Sequence, residues 1–316
     1  MGCTHFKSYF KSADGSHMIA YYVFFPIGKI KGIVQISHGM CEYFERYSDF
    51  AEYLTDLGFA VCGNDHLGHG DSVERESELG YFSPENGWEN VVEDMFTLTK
   101  IMKKSFGKLP YFLFGHSMGS FLSRAYVTKH GSSLSGAVCL GTSGGMSGMP
   151  FLLSIVEISK LLHGEKYRSK IINKIAFGAY NHKISDHVNE YDWISRDKNI
   201  VDKYYNDSKC SFIFTLNGFE NLMKVLWYVT NDKWFETYPK MLPTFLAAGS
   251  GDPVGNYGKG VKRVYNRLKH ENCNVDMKIY KEARHELVNE INRHEVYEDI
   301  SDFLFEIMET DFNDQR

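Results

Sequence analysis

The sequence predicts an α/β fold, with a mostly parallel central sheet, helices on both faces and an inserted helical cap. Short apolar segments alternate with amphipathic helical segments along most of the 316 residues, and this alternation is typical of parallel sheets. The alternation is interrupted at about 145–235, where the cap is expected. Polar side chains suited to catalysis also follow several predicted strands, and the carboxyl ends of parallel strands carry the sites of such sheets.

Seven strands are predicted, and helices alternate with them. The strands lie at 18–25, 31–37, 59–63, 111–114, 137–140, 244–249 and 275–280. Apolar residues at helical spacing predict helices near 47–57, over 88–107, over 117–130 and from about 292 onwards. We therefore expect a core formed by residues 1–144 and 236–316, with residues 145–235 inserted between its two parts as the cap.

A Gly-x-Ser-x-Gly motif lies at the junction between a predicted strand and a predicted helix. Ser117 directly follows the strand, with Gly115 and Gly119 on either side and apolar residues at helical spacing after it. A serine held on such a sharp turn projects its hydroxyl above the end of the sheet. Glycines at both flanking positions allow the strand and the helix to approach closely. The context predicts that Ser117 is an activated nucleophile.

A second copy of the motif is present, but its surroundings differ. Residues 141–145 contain Ser143 and also follow a predicted strand. Gly144, Gly145 and Pro150 follow closely, and such residues do not begin a helix tightly. We interpret 141–150 as a loop that leaves the strand, with Ser143 as a chance match in a glycine-rich turn.

A serine nucleophile needs a base, and the base needs an orienting acid. Asp252 and His285 each lie just past the end of a predicted strand. Taken singly, Asp252 is also explained as a turn aspartate before proline, and His285 as one solvated histidine among thirteen. Their joint placement, in the chain order Ser117, Asp252, His285, instead predicts a catalytic triad.

Two backbone amides are predicted to hold the oxyanion of an acyl-transfer reaction. The strand at 31–37 ends in a His-Gly-Met sequence, and the loop after such a strand supplies one amide. The residue after the nucleophile supplies the second. We assign the oxyanion hole to the backbone N–H groups of Met40 and Met118. His38 is an alternative base or ligand, but His285 already fits the base by chain order.

These motifs together resemble the monoglyceride lipase and lysophospholipase branch of the α/β-hydrolases. The matching segments are HGMCEYFERY (38–47), NDHLGHGDS (64–72), GHSMGS (115–120), YDWISRD (191–197), GSGDPVGN (249–256) and ARHEL (283–287). They follow the order expected for the family and are spread over most of the chain, which resembles the family from roughly residue 18 to 305. The Gly-x-Ser-x-Gly motif is shared by the whole superfamily, whereas the first two segments are narrower and point to this branch.

The resemblance implies a function as well as a fold. It implies that Ser117, Asp252 and His285 form the triad and that Met40 and Met118 form the oxyanion hole. The implied substrates are small lipid or ester molecules, namely monoacylglycerols, lysophospholipids or related carboxylic esters. Some relatives act on amides or transfer acyl groups. The cap is the segment least similar to the family, and we expect it to select the substrate.

The turn at 65–71 contains two aspartates and two histidines, which are also the side-chain types that bind metals. It is a tight glycine-rich turn after a strand, and the sequence contains no HExxH or CxxC motif. A hydrogen-bonded structural turn is therefore favoured over a metal site. We expect no metal and no organic cofactor.

Composition and charge argue against several classes of protein. A formal net charge of −5 gives no sign of nucleic-acid binding. The six cysteines are scattered, which indicates reduced thiols and a cytoplasmic protein. We expect no secretory signal, because the N-terminal segment has no apolar core, and no myristoylation, because Phe6 breaks that pattern. The sequence contains no run of about 20 apolar residues, so no membrane span is predicted.

The cap contains an apolar segment at 151–158 that is too short to span a bilayer. One interpretation is a lid helix that covers an acyl pocket and transiently contacts a micelle or membrane surface. The other is a helix buried between cap and core, and the two are compatible. Composition alone suggests Trp193, Phe212 and Phe214 as pocket walls.

Three functions fit this sequence. The first is a serine hydrolase that cleaves carboxylic esters of lipid-like substrates through an acyl-enzyme on Ser117. The second is a serine aminopeptidase, amidase or acyltransferase with the same triad. A peptidase of this fold needs a cap carboxylate for the substrate amine, and the candidates are Glu157, Glu165, Asp186, Asp192 and Asp197. The third is a binding protein, which would not require an intact triad. The fold alone does not choose among them.

Overall fold

An eight-stranded sheet forms the centre of the computed structural model, which describes residues 4–146, 148–185 and 187–314. The strands are β1 (Thr4–Lys11), β2 (Met18–Phe25), β3 (Gly32–Ser37), β4 (Phe59–Asn64), β5 (Tyr111–His116), β6 (Gly136–Leu140), β7 (Thr244–Gly249) and β8 (Val275–Tyr280). Their order across the sheet is β1-β2-β4-β3-β5-β6-β7-β8. The seven predicted strands are all present, within one or two residues of their predicted ends.

The sheet is parallel from β4 to β8, which confirms the prediction of a mostly parallel sheet. Two antiparallel pairings, β1 with β2 and β2 with β4, add a two-stranded edge. Strand β1 was not predicted. It is an edge strand with exposed side chains on one face, and its extended state depends on pairing with β2 along its whole length.

Ten α-helices accompany the sheet in the described part of the chain. They are α1 (Ser48–Asp56), α2 (Gly87–Phe106), α3 (Met118–His130), α4 (Met149–His163), α5 (Lys170–Phe177), α6 (Lys198–Asn206), α7 (Leu216–Tyr228), α8 (Asp232–Thr237), α9 (Lys259–His270) and α10 (Arg293–Asp314). The helices predicted from apolar spacing correspond to α1, α2, α3 and α10. The sequence analysis missed α9, which joins β7 to β8.

Helices cover both faces of the sheet because its strands bury side chains on both sides. Adjacent residues of β3 illustrate this, since Ile33 joins the apolar cluster under α2, α3 and α9, whereas Val34 joins the cluster under α1 and α10. Successive side chains of a strand point to opposite faces. Burial of each such aliphatic side chain stabilises the folded state by roughly 1.5–3 kcal/mol. The two clusters therefore hold the sheet, and the loops at the carboxyl ends of its strands, in place.

Helices α4 to α8 all lie between β6 and β7 in the chain. Helices α4 to α7 fall within the segment predicted as the cap, whereas α8 begins in that segment and ends two residues beyond it. The predicted loop at 141–150 ends two residues early, because α4 already begins at Met149. Pro150 lies in the first turn of α4, where its missing N–H has no intrahelical partner to lose. The division into core 1–144, cap 145–235 and core 236–316 remains a prediction.

Helix α4 has one buried and one exposed apolar face. Leu153 and Val156 are buried, whereas Phe151 is 70% exposed and Leu161 is 87% exposed. The helix is therefore partly buried, and its role as a lid that contacts a lipid surface stays a prediction. No helix in the described residues is long and apolar enough to cross a membrane.

The cysteines that the structure describes are free thiols in buried positions: Cys41, Cys62, Cys139, Cys210 and Cys273. Burial raises the pKa of both Cys62 and Cys139 to about 12. The sixth cysteine, Cys3, and the start of the N-terminal segment lie outside the described residues.

Candidate active site

Ser117 lies on a strained turn between β5 and α3. Its backbone has φ 53° and ψ −121°, a conformation that side chains with a Cβ rarely adopt. A Cβ added to Gly119 would lie 2.0 Å from the Ser37 carbonyl oxygen, and one added to Gly115 would lie 2.5 Å from the Gly119 carbonyl oxygen. The two glycines therefore permit the close contact of β5, α3 and β3 that holds Ser117 in this conformation.

His285 and Asp252 are in direct contact at the neighbouring strand ends. His285 Nδ1 donates a hydrogen bond to Asp252 Oδ1 at 3.0 Å, and both side chains are buried. The backbone N–H of Val254 donates a second bond to the same oxygen at 2.9 Å. Asp252 thus fixes the orientation of the imidazole, leaving Nε2 as the ring nitrogen for chemistry.

Ser117 and His285 line one cavity of about 730 Å³, whose lining includes residues of the core and of the cap segment. The ring of His285 lies between two aromatic neighbours, with centroid distances of 4.7 Å to His116 and 5.1 Å to Trp193. The structure therefore brings the predicted nucleophile and base to the same space, with the predicted acid behind the base.

The loop after β3 runs beside Ser117. A Cβ added to Gly39 would lie 3.1 Å from Ser117 Cβ, and the adjacent Met40 lines the cavity. Met118 also lines the cavity, and as the first residue of α3 its N–H belongs to the helix end that lacks intrahelical partners. Both predicted oxyanion donors thus border the space next to the serine.

A buried network of charges under this loop was not predicted. Glu42 accepts hydrogen bonds from Arg46 at 2.8 Å, Tyr47 at 2.7 Å and His116 Nδ1 at 3.1 Å. Arg46 also forms two 2.7 Å bonds to Glu286, the residue after His285 in the chain. The network links the loop after β3 to the segment that carries His285. The spacing of Glu42 and Arg46, four residues apart in one motif, was the available sequence signal.

This network sets the charges near Ser117. Burial lowers the pKa of His116, but the hydrogen bond and negative charge of Glu42 outweigh burial and raise it above its ordinary value. Burial raises the pKa of Glu42, yet the same hydrogen bond, His116 and Arg46 hold it well below its usual range. Glu42 is therefore ionised, and it accepts a further hydrogen bond from the backbone N–H of Gly39.

Ser143 also lines the cavity, but its setting differs from that of Ser117. It lies in the loop after β6, its Oγ accepts a 3.3 Å bond from the Gly145 amide, and α4 begins only at Met149. Its carbonyl oxygen accepts a 2.9 Å bond from Arg124, a buried residue of α3. Ser143 thus has no strand-to-helix elbow.

The turn at 65–71 is held by protein hydrogen bonds. Asp65 accepts bonds from the backbone N–H groups of Phe44 and Asp71, and the His66 N–H donates to His38 Nε2 at 2.9 Å. Burial lowers the pKa of His66 to about 3 and that of His69 to about 4, so both rings are neutral. Among the described residues, no group of three or more candidate ligands is arranged to hold a metal ion.

The cavity walls agree only in part with the predicted pocket residues. Trp193 and Phe212 line the cavity, but Phe214 does not, and the prediction for it is wrong. Phe214 is fully buried and packs edge-on against His69 and Phe82, which ties the cap segment to the turn at 65–71. Composition cannot separate a pocket wall from a buried packing residue.

The cap carboxylates considered for an amine-binding site lie away from the cavity lining or are engaged elsewhere. Glu165 accepts a 2.6 Å bond from Tyr81, and Asp197 caps the N-terminus of α6. Asp192 accepts bonds from two backbone amides. Glu157 and these three are absent from the lining among the described residues, and Asp186 lies outside them.

Comparisons with known proteins identify the family of this chain. A family model described as "Serine aminopeptidase, S33" matches residues 28–292. A monoglyceride lipase homolog of Monkeypox virus is 26% identical over 283 residues, covering 89% of this chain and 91% of that protein. The monoglyceride lipase of Homo sapiens is 26% identical over 289 residues, covering 89% and 83%.

A solved structure shows the same architecture. The crystal structure of a thermostable carboxyl esterase from Bacillus coagulans, in complex with glycerol, superposes with a TM-score of 0.90. It is 32% identical, and the match covers 96% of this chain and 99% of that one. The chain therefore belongs to the α/β-hydrolase family described by the model that matches residues 28–292, in the branch of the monoglyceride lipases, and it is a hydrolase.

Proposed function

We propose that the protein is a serine hydrolase that cleaves carboxylic esters of monoacylglycerol-like or lysophospholipid-like substrates through an acyl-enzyme on Ser117. The observation that carries the proposal is the strained Ser117 elbow, which faces the same cavity as a histidine bonded to a buried aspartate. A strained, preorganised serine beside an oriented base is the arrangement that acyl transfer requires.

Acylation begins when Ser117 Oγ attacks the ester carbonyl and His285 Nε2 takes the hydroxyl proton. Asp252 keeps the Nδ1–H tautomer and stabilises the imidazolium that forms. The N–H groups of Met40 and Met118 stabilise the oxyanion. His285 then gives the proton to the leaving alcohol, and the carbon–oxygen bond of the substrate breaks, leaving the acyl group on the serine.

Deacylation repeats these steps with water as the nucleophile. His285 takes a proton from the water as it attacks the acyl-enzyme, and returns that proton to Ser117 Oγ when the fatty acid leaves. The Glu42–Arg46–Glu286 network positions this machinery, because it ties the loop that carries Met40 to the segment that carries His285. No residue in this scheme needs a metal or cofactor.

The substrate class is proposed from the cavity. Its volume of about 730 Å³ is within the range of sites that enclose a drug-sized or acyl-chain ligand. Much of its wall is apolar or aromatic: Met146, Met149, Phe121, Phe177, Phe212, Phe219, Leu222, Met223 and Leu226. Such a wall suits a fatty acyl chain better than a peptide.

Aminopeptidase, amidase or acyltransferase activity with the same triad is the alternative. Among the described residues, the uncommitted acid in the cavity lining is Glu190, an exposed residue of the cap segment. A buried, fixed carboxylate would be the expected anchor for a substrate amine. Glu190 does not meet that description, so ester hydrolysis is favoured.

The cap is also the proposed contact with a micelle or membrane surface. Six of its exposed apolar side chains lie on two helices, α4 and α5: Phe151, Ile158, Leu161, Leu162, Ile171 and Ile175. A helix that leaves such side chains in water gains by inserting them at a lipid interface. The neighbouring lining residues Met146 and Met149 connect this face to the cavity.

Parallel turnover measurements test the proposal. Purified protein is given a monoacylglycerol, a lysophosphatidylcholine and an aminoacyl amide, with Ser117→Ala as the blank. Turnover of lipid esters by the wild-type protein alone supports the proposal, and the ratio of the two rates ranks the head groups. Cleavage of the amide alone would replace the ester hydrolase with a peptidase, while keeping the nucleophile.

A further inference from the structure

We propose that the cap carries a subsite for an anionic head group of the phosphate-monoester class, formed by Lys170, Asn173 and Lys174 on α5. The subsite makes acylglycerol phosphates the preferred substrates of the enzyme. This inference rests on the proposed function, because it places the head group of the same lipid ester that Ser117 attacks. It goes further by assigning the charge of that head group.

The three residues line one cavity from one face of α5. Lys170, Asn173 and Lys174 occupy positions i, i+3 and i+4 of α5, so they share one face of the helix, with neighbouring Cβ atoms about 5–6 Å apart. All three line the cavity that contains Ser117 and His285. Each ammonium group offers three donors and the amide offers two. This wall of the cavity is therefore rich in hydrogen-bond donors, in contrast to the apolar walls.

The charges of Lys170 and Lys174 are not neutralised by the protein. Lys160 pairs with Glu220, and Lys209 bonds to Asp71. Within the described residues, neither Lys170 nor Lys174 has a carboxylate at ion-pair distance or an aromatic ring beneath it. Both side chains are exposed. Two ammonium groups are thus available to a ligand at the cavity wall.

The placement of both lysines is locally unfavourable without an anion. Like charges at i and i+4 repel each other along a helix. Lys170 is also the first residue of α5, where the helix dipole disfavours a cation. An anion that accepts hydrogen bonds from both ammonium groups removes both penalties.

The surrounding charges favour an anion at this wall. Residues 160–183 contain six lysines or arginines and one glutamate, in a chain with a net charge of −5. Two acids in the lining, Glu42 and Glu286, are paired with Arg46, and Glu190 is exposed to solvent. A local positive field of this kind steers anionic ligands toward the opening of a cavity.

A phosphate monoester fits this subsite better than other head groups. It carries roughly −1.5 to −2 charges near pH 7 and three acceptor oxygens, which matches two ammonium groups and an amide. A free glycerol head group carries no charge. A phosphocholine head group carries one negative charge but also a quaternary ammonium that both lysines repel.

The kinetic test compares head groups at one acyl length. The kcat/KM values of dodecanoylglycerol phosphate, dodecanoylglycerol and dodecanoylglycerophosphocholine are measured below their critical micelle concentrations, at low salt. We expect the phosphate to exceed the neutral ester by about tenfold, as for two charge-assisted contacts at a solvent-exposed site. In K170Q/K174Q the ratio of kcat/KM for the phosphate to kcat/KM for the neutral ester falls toward one, mainly through a higher KM for the phosphate. The control is K233Q/K262Q, which replaces two exposed lysines outside the cavity lining and should keep the wild-type ratio.

A binding test separates this inference from the proposed function. Ser117→Ala protein is titrated with dodecyl phosphate, 1-O-dodecylglycerol and inorganic phosphate, with and without K170Q/K174Q. Tighter binding of dodecyl phosphate, lost in the lysine variant, supports the subsite even if no ester is hydrolysed. Equal binding of the two lipids, or a preference that survives the substitution, overturns it. If inorganic phosphate binds as tightly as dodecyl phosphate, the acyl chain contributes nothing to binding, and the assignment to a lipid head group is also overturned.

Discussion

Arg124 lies in α3, the helix after Ser117, and contacts the chain on both sides of helices α4 to α7. Its replacement by methionine tests this connection. Its guanidinium donates to the Ser143 carbonyl at 2.9 Å, to Thr142 Oγ1 at 3.2 Å and to the Val229 carbonyl. It also lies 4.5 Å from the centroid of the Trp234 ring. Ser143 precedes α4 and Val229 follows α7, so one side chain holds the chain on both sides of helices α4 to α7.

The expected loss of stability follows from these contacts. Removing the guanidinium leaves two buried carbonyl groups without their donor, at about 1–3 kcal/mol each. The stacking on Trp234 contributes about 0.5–2 kcal/mol more. Methionine recovers part of this, because burial disfavours the charged side chain and lowers the pKa of Arg124 to about 10. We expect Arg124→Met to lower the free energy of unfolding by about 2–4 kcal/mol.

Urea unfolding measures this loss, and hydrogen exchange locates it. The control is Arg267→Met, which removes a partly exposed arginine that stacks on Phe235 at the same 4.5 Å distance and pairs with Asp232. It should change the free energy of unfolding by less than about 1 kcal/mol. In Arg124→Met, amide protection should fall first in 144–150 and 226–235. An unchanged unfolding midpoint, or a loss spread evenly over the sheet, would refute the reasoning.

Three further predictions concern the elbow, the acid and the buried histidines. Gly119→Ala should abolish activity and lower the yield of folded protein, because the added Cβ would lie 2.0 Å from a carbonyl oxygen. Gly131→Ala is the control and should be tolerated, because its added Cβ would have its nearest contact at 3.2 Å. The yield of soluble protein and the esterase rate of both variants decide this. Asp252→Asn should lower kcat by about 1,000- to 10,000-fold with an unchanged circular dichroism spectrum, and a rate within tenfold of wild type would contradict the triad. Burial lowers the pKa of His69 to about 4 in the folded protein, so the folded state keeps this ring neutral. The protein is therefore most stable, as far as His69 is concerned, above the ordinary pKa of about 6.5. It loses stability as the pH falls from 6.5 toward 4, because the unfolded state then binds a proton that the folded state does not. His69→Gln should therefore reduce the slope of unfolding free energy against pH in that interval by about 1.4 kcal/mol per pH unit, and identical slopes in urea titrations would show that His69 is not the group that titrates.

The sequence predicts the elbow and the strand ends well because their signals are local. Ser117 lies between an apolar strand and an amphipathic helix, and the glycines on either side meet a steric need of the turn itself. Asp252 and His285 follow two such strands, and parallel strands place their carboxyl ends at one edge of the sheet. Chain order and topology therefore bring distant residues together without knowledge of any contact.

Other parts of the site depend on contacts that no local pattern encodes. Arg46 and Glu286 are 240 residues apart, and only the folded chain makes them partners. Strand β1 depends on its pairing with β2. Phe214 has the composition of a pocket wall but is buried against the turn at 65–71. In each case, the decisive information is which segment packs against which, and periodicity does not contain it.

The most direct test of the account is to find which residue becomes covalently modified by an ester-like inhibitor. Wild-type protein, Ser117→Ala and Ser143→Ala are treated with a fluorophosphonate and analysed by intact-protein mass spectrometry and peptide mapping. We predict a single adduct on Ser117 in the wild-type protein and in Ser143→Ala, and none in Ser117→Ala. An adduct on Ser143, or labelling that persists in Ser117→Ala, would contradict the assignment of Ser117 as the nucleophile.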